Sequence, residues 1–169
     1  GWAIPASVGV SLADRARRPV VIVGDGSFMS NMQELAAIKA HNLPIKIIVL
    51  NNDGYLSIKN TQKNFFGNAV HGVSKSTGLF FPKMQDIANA FRIDYKFFYY
   101  GDKGEYSYLN DWLMDGKSYI LEFMCVSEEE IIPSQNFKMV DGKRVQCGLE
   151  DMYPFLPDDV LQNERIVNA

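Results

Sequence analysis

The chain has 169 residues, 47% of them hydrophobic, enough to bury the core of one domain. A formal net charge of −3 gives no basis for nucleic-acid binding, and no apolar run is long enough to cross a bilayer, so neither partner is expected. Cys125 and Cys147, like His41 and His71, are too scattered to make a metal motif, and reduced thiols in a cytoplasmic setting are the expectation.

In chain order, a first helix is predicted to begin near Pro5, with Ile4, Val8 and Leu12 on one face, and to stop at Pro19. Arg15, Arg17 and Arg18 read as its solvated end, where positive charge meets the carboxyl-terminal dipole. Val20-Val21-Ile22-Val23 is a β-branched run, read as a buried strand, and Gly24-Asp25-Gly26 follows it directly. Phe28, Met32, Leu35 and Ala36 then recur at helical spacing, with Glu34 inside that helix as a structural hydrogen-bonding residue. Residues 45–50 form a second apolar run, followed directly by Asn51-Asn52-Asp53-Gly54. Strand, turn, helix, strand is the right-handed crossover of a parallel sheet, and such sheets bind ligands at the carboxyl ends of their strands.

Residues 55–64 have helical character, and the following stretch through Phe80-Phe81-Pro82, rich in Gly, Ser and Asn, reads as a mobile loop containing His71. A second crossover is predicted from a helix at 84–91, a buried strand at 95–100, a helix at 105–114 and a final strand at 119–124. The expected fold class is α/β, a three-layer α/β/α sandwich around a mostly parallel, doubly wound sheet, with residues 1–124 as the domain core. From about position 125, Glu128-Glu129-Glu130 and the prolines at 133, 154 and 157 mark a change of character. Residues 125–169 are expected to be a mostly irregular tail packing on the same domain, anchored by Phe137, Met139 and Tyr153; the alternative is that these three line a substrate route.

The chemistry is concentrated where the first two strands end. Asp25 offers a charged oxygen, Asn52 a neutral amide oxygen, and the Asp53-Gly54 turn a main-chain carbonyl, a donor set suited to Mg2+ shared with phosphate oxygens. Gly26 allows close backbone approach, and the helix starting near Ser27 to Ser30 offers unpaired N–H groups to an anion. The same residues also read as two polar turns of a doubly wound sheet, since Gly-Asp-Gly and Asn-Asn-Asp-Gly are each ordinary turn sequences.

Gly24-Asp25-Gly26 through Asn51-Asn52 resembles the signature of thiamine diphosphate enzymes. The segments Gly1-Trp2-Ala3-Ile4-Pro5-Ala6, Gln33-Glu34-Leu35, Asn42-Leu43-Pro44-Ile45-Lys46 and Asn51-Asn52-Asp53-Gly54-Tyr55 are similar to the diphosphate-binding domain of acetolactate synthase-like proteins. The resemblance implies the thiamine diphosphate-binding fold, with Asp25, the Asn52 side chain and the Gly54 main-chain oxygen as Mg2+ ligands. Gly24, Asp25, Gly26, Ser27, Asn52, Gly54 and Tyr55 would be the cofactor-binding residues. It implies a decarboxylation and carboligation of 2-oxo acids such as pyruvate, a transferase or lyase activity. Simple 2-oxo acid decarboxylation, a specialised carboligation, and a non-catalytic cofactor-binding module remain alternatives. A Rossmann-type nucleotide binder ranks last, because no Gly-x-Gly-x-x-Gly follows a strand. In the resembling enzymes the glutamate that activates the cofactor comes from a pyrimidine-binding domain of a neighbouring subunit. The resemblance therefore implies that domain as a partner, a homodimer or homotetramer, no catalytic residue from these 169, and no activity from this chain alone.

Overall fold

The computed structural model describes residues 1–67, 69–99, 107–128 and 131–164, and the chain divides into two compact units, Gly1–Glu128 and Glu129–Ala169. The first unit is built on β1 (Val20–Gly24), β2 (Lys46–Asn51), β3 (Asp94–Phe98) and β4 (Tyr119–Met124). These form a parallel sheet in the order β1-β2-β4-β3, so the chain crosses over before each strand and the first and third strands lie at the edges. Side chains alternate between the two faces. One face carries Val21, Val23, Ile47, Val49 and Ile120, all buried against Ile4 and Val8 of α1 (Ala3–Ala13), Phe28 of α2 (Asp25–Ser30), Leu35 and Ile38 of α3 (Leu35–Ala40), and Met84, Ile87 and Ala88 of α5 (Met84–Phe91). The other face carries Phe98, Tyr119 and Leu121, covered by Leu109 and Trp112 of α6 (Ser107–Met114). The architecture is thus α/β, three layers around a parallel sheet.

Several local expectations change. Among the described residues the second face is covered over β3 and β4, while on its other half Val20 is 50%, Ile22 64% and Leu50 41% exposed, so there β1 is buried on one side. The strand expected at 95–100 is Asp94–Phe98, an edge strand in which only Phe98 is buried, and Tyr100 lies outside the described residues, as does the Glu105 at which the next helix was expected to begin. Leu12 is exposed: the buried side of α1 is Ile4, Ser7, Val8 and Ser11. The helix ends at Ala13, well before Pro19, so the arginines lie beyond it; Arg17 pairs with Asp14, and Arg15 donates to the His41 carbonyl.

The single helix expected after Gly26 is three pieces: α2, a 3-10 turn at Met32–Glu34, and α3. The break falls at Asn31, whose φ of −140° is not helical and whose side chain donates to the Gly1 carbonyl at 2.5 Å, a tertiary bond across 30 residues. The register shifts with it, so Ile38 rather than Ala36 is the buried residue. α4 spans Leu56–Phe66, and the loop after it contains a 3-10 turn at Lys75–Thr77 closed by a reciprocal Ser74 and Thr77 capping box. His71 in that loop is exposed, its backbone bonded to the Gln62 side chain on both sides.

In the second unit, β5 (Phe137–Val140) and β6 (Lys143–Gln146) form an antiparallel hairpin, followed by α7 (Asp158–Glu164). Asp141 and Gly142 between the strands both have positive φ, 51° and 74°, which suits the tight turn of a two-residue hairpin loop. Lys138 pairs with Asp151 at 2.8 Å, and the Arg144 guanidinium lies over the Phe137 ring. Met139 and Tyr153 are exposed. The Cys125 thiol in the first unit donates to the Phe123 carbonyl at 3.5 Å, and Cys147 in the second is buried.

Candidate functional site

The parallel register places Gly24 beside Leu50, so the turns after β1 and β2 emerge side by side at the carboxyl edge of the sheet. Asp25 is the first residue of α2 and is 3% exposed. Its carboxylate folds back on the backbone: Oδ1 accepts from the Gly26 amide and Oδ2 from the Gly54 amide, each at 2.9 Å. The second bond ties the two turns together. Burial pushes the Asp25 carboxyl above its usual range, the Gly54 and Gly26 amides pull the other way, and the nearby Asp53 carboxylate adds to the rise. Among the described residues, no cationic side chain is among the groups acting on it.

Asn52 sits one turn residue away from that bond, and its Oδ1 is buried with no hydrogen-bond partner among the described residues. A buried carbonyl oxygen without a donor costs free energy, so the atom is a vacancy in the bonding of the fold that an added group can fill. Asn52, Asp53 and Gly54 border a cleft of about 480 Å³ with Leu56, Lys59 and Ser74; Asp25, Asn51 and Asp53 border a second cleft of about 460 Å³ with Tyr95, Phe97 and Glu122. The turn therefore stands between two clefts, with Asp53 on both.

The glycines of the motif have steric reasons. A Cβ on Gly26 would run into the Tyr55 ring, which packs directly over it and meets Phe81 edge-on at 5.5 Å. Gly54 has φ of +150° and faces the Val73 carbonyl oxygen, so no side chain fits there. Tyr55 thus stands against the motif, half-buried, while Ser27 is exposed and Gly24 half-buried. α2 has only six residues, and its Gly26 amide is already used by Asp25.

Residues 1–108 match the family described as "Thiamine pyrophosphate enzyme, C-terminal TPP binding domain". The chain belongs to this family. As a thiamine pyrophosphate-binding domain it is similar to acetolactate synthase 3, chloroplastic, of Brassica napus, at 33% identity over 138 residues, which covers 79% of this chain and 21% of that protein. It is 34% identical over 93 residues to the acetolactate synthase large subunit of Porphyra purpurea, covering 55% of this chain and 15% of the other. A 55-residue stretch is 46% identical to the Schizosaccharomyces pombe protein named Probable pyruvate decarboxylase Pdc101, 32% of this chain and 10% of that one. Among solved structures, benzoylformate decarboxylase from Polynucleobacter necessarius superimposes with a TM-score of 0.65 at 22% identity, over 77% of this chain and 24% of the other, a likeness of fold. The chain thus spans about a fifth or less of the curated relatives it matches.

Reading the sequence alone misses two side chains behind this candidate site, Glu122 and Tyr95, which back the Asn51 of the signature. Glu122, 5% exposed on β4, accepts from Asn51 Nδ2 through Oε1 and from the Tyr95 hydroxyl through Oε2. Asn51 Oδ1 accepts from the Asp53 amide at 2.9 Å. The available signal was a single acid inside the apolar run Tyr-Ile-Leu-Glu-Phe-Met.

Proposed function

We propose that this domain anchors thiamine diphosphate through Mg2+ held by Asp25, the Asn52 side chain and the Gly54 main-chain oxygen, with Gly24, Gly26, Ser27 and Tyr55 beside the diphosphate. The observation that carries this reading is the buried, unpartnered Asn52 Oδ1 on the turn whose Gly54 amide reaches Asp25. The residues fit the ion: the donors are oxygens, as Mg2+ prefers, and Asp25 is a buried carboxylate acted on by amides and another carboxylate rather than by a cation. A bound cation would offset the penalty that burial imposes on the Asp25 charge. The glycines at 26 and 54 let the Tyr55 ring and the Val73 carbonyl pack directly against the two turns, which holds the turns in place beside each other.

When bound, thiamine diphosphate supplies the electron sink for loss of carbon dioxide from a 2-oxo acid. This chain's own residues bind and orient; none of them is assigned a proton transfer. The whole enzyme is proposed to carry out acetolactate synthase-like decarboxylation and carboligation of a 2-oxo acid such as pyruvate, on the strength of the likeness to acetolactate synthases over 79% of the chain. The second reading, decarboxylation alone, is favoured by the 46% identity over 55 residues to the Schizosaccharomyces pombe protein. In either case a pyrimidine-binding domain in an oligomer completes the site, and this chain alone is inactive.

The test is calorimetric titration of thiamine diphosphate into the full-length protein with and without Mg2+. Wild type is expected to bind only with the ion, and Asp25→Ala to bind more than about 100-fold more weakly, because it removes the one anionic ligand. Equal, metal-independent affinity of both proteins rejects the reading. Product analysis with pyruvate separates carboligation from simple decarboxylation.

A further inference from the structure

A series of hydrogen bonds leads from the body of β3 through β4 to the carboxyl end of β2 and the turn beyond it. It starts on β3 with the Tyr95 hydroxyl, passes through the Glu122 carboxylate on β4 to the Asn51 carboxamide at the end of β2, and from Asn51 Oδ1 to the Asp53 amide. The next amide, Gly54, reaches the Asp25 carboxylate beyond β1. Register makes this possible: Glu122 is paired with Val49 and Phe97, so Asn51 and Tyr95 lie diagonally from it on the same face.

A carboxylate in the interior of a parallel sheet is costly, and on the same face of β4 the position two residues earlier is Ile120, fully buried. Both Glu122 oxygens are engaged, which offsets that cost but builds nothing that an apolar side chain would not. What Glu122 does that an apolar residue cannot is to choose which end of the Asn51 carboxamide points where. With Nδ2 donating to Glu122, Oδ1 is left facing the turn, where it accepts from Asp53. Asp53 is held at φ 61°, a left-handed conformation that a non-glycine residue adopts only with support, and the turn it defines carries Asn52 and Gly54.

We infer that Glu122 and Tyr95 are positioning residues, which fix the Asn51 carboxamide and through it the shape of the turn that presents Asn52 and Gly54 beside Asp25. The inference rests on the metal reading above for its purpose, but the hydrogen-bond chain itself is measurable without metal or cofactor. Tyr95 is locked as a donor in this arrangement; burial and the adjacent Glu122 carboxylate both raise the pKa of its hydroxyl.

The experiment uses Glu122→Met, Glu122→Gln and Tyr95→Phe in the full-length protein, with two readouts. The first is amide hydrogen exchange of Asp53 and Gly54 without metal. Glu122→Met is expected to speed exchange at Asp53 about tenfold, the loss of a hydrogen bond to a charged group, while the Ile47 and Ile48 amides of β2 stay protected. The second is the Mg2+ concentration that half-saturates thiamine diphosphate binding, expected to rise about tenfold in Glu122→Met and about threefold in Tyr95→Phe, with affinity restored at saturating Mg2+. Glu122→Gln rescues both, because its oxygen accepts from Asn51 and the Tyr95 hydroxyl can turn to accept from its amide. A residue that merely held the strands together would lower global stability without moving the Mg2+ requirement. Should Glu122→Met not fold, Tyr95→Phe carries the test. Unchanged Asp53 exchange, or faster exchange with an unchanged Mg2+ requirement, overturns the inference. A wild type that binds the cofactor without Mg2+ rejects the metal reading instead, a distinct result because the exchange rates are measured without metal.

Discussion

The two edges of the parallel sheet bury ionisable groups in opposite ways. At the amino edge, Lys46 is 1% exposed, and its ammonium donates to the Asp115 carboxylate at 2.6 Å and to the Asp115 and Lys117 carbonyls, beneath the Tyr119 ring. Burial would raise the Asp115 carboxyl, but Lys46, the Tyr119 hydroxyl and the Lys117 amide outweigh it and hold the value down at about 2. Burial and that same carboxylate push the Tyr119 hydroxyl up to about 12. At the carboxyl edge, burial prevails over the amides and Asp25 moves the other way, while Asn52 Oδ1 has no partner among the described residues. An edge that satisfies its own charges is finished as it folds. One in which burial outweighs the amides on an acid, beside an amide oxygen with no donor among the described residues, suits the cation proposed above.

This contrast is sharpened first by Lys46→Met, which leaves Asp115 without its ammonium. It should cost about 3 kcal/mol in urea denaturation, at the low end for a broken buried pair because Asp115 keeps contact with water. A change below about 0.5 kcal/mol, the scale of an ordinary surface substitution, would break the comparison at its amino edge. Next, Gly54→Ala should lower stability by about 2 kcal/mol, since the new methyl meets the Val73 carbonyl at a φ that side chains avoid, and should weaken cofactor binding by disturbing the turn. Unchanged denaturation and binding would show that the turn tolerates a side chain.

The smallest effect has the opposite sign. Asp25→Asn should stabilise the metal-free protein at pH 7 by about 1 kcal/mol while abolishing the gain in stability from thiamine diphosphate with Mg2+; a loss of stability without metal would contradict the proposed frustration at that edge. The pH dependence follows. Asp115, lowered from 3.8, contributes stability that is complete above about pH 4 and is lost as pH falls towards about 2. Asp25, raised from the same 3.8, favours the metal-free fold below that value, and that contribution disappears as pH rises through its folded pKa. Stability curves of wild type and the two variants separate these limbs: Lys46→Met should flatten the acid limb and Asp25→Asn the other.

The elements most legible in the sequence are those where one physical signal dominates. Residues 84–91 and 119–124 occupy their expected bounds because apolar spacing and length agree, and the strand-turn-strand unit carrying Asp25 and Asn52 follows from apolar runs ending in polar turns. Where tertiary bonds override local preference, periodicity misleads. Asn31 interrupts a helical pattern by bonding to Gly1, and β-branched Val20 and Ile22 read as buried although the covering helix lies over the other half of the sheet. Lys46 and Glu122 are single charges inside otherwise apolar strands, and the partners that explain them are 69 and 71 residues away in sequence. In the second unit the Asp141-Gly142 pair was an available hairpin signal, muted by flanking strands of only four residues with little burial.

The uncovered half-face of the sheet has a practical consequence. β1 ends the sheet with one side unpaired, and Val20, Ile22 and Leu50 turn hydrocarbon to water along it. Such a margin is a template on which a second copy can add its own strand, so this segment prepared by itself should clump with rising concentration. Lysine at position 22, charged and pointing outward, is the gatekeeper substitution that would keep it in solution without touching the cofactor end.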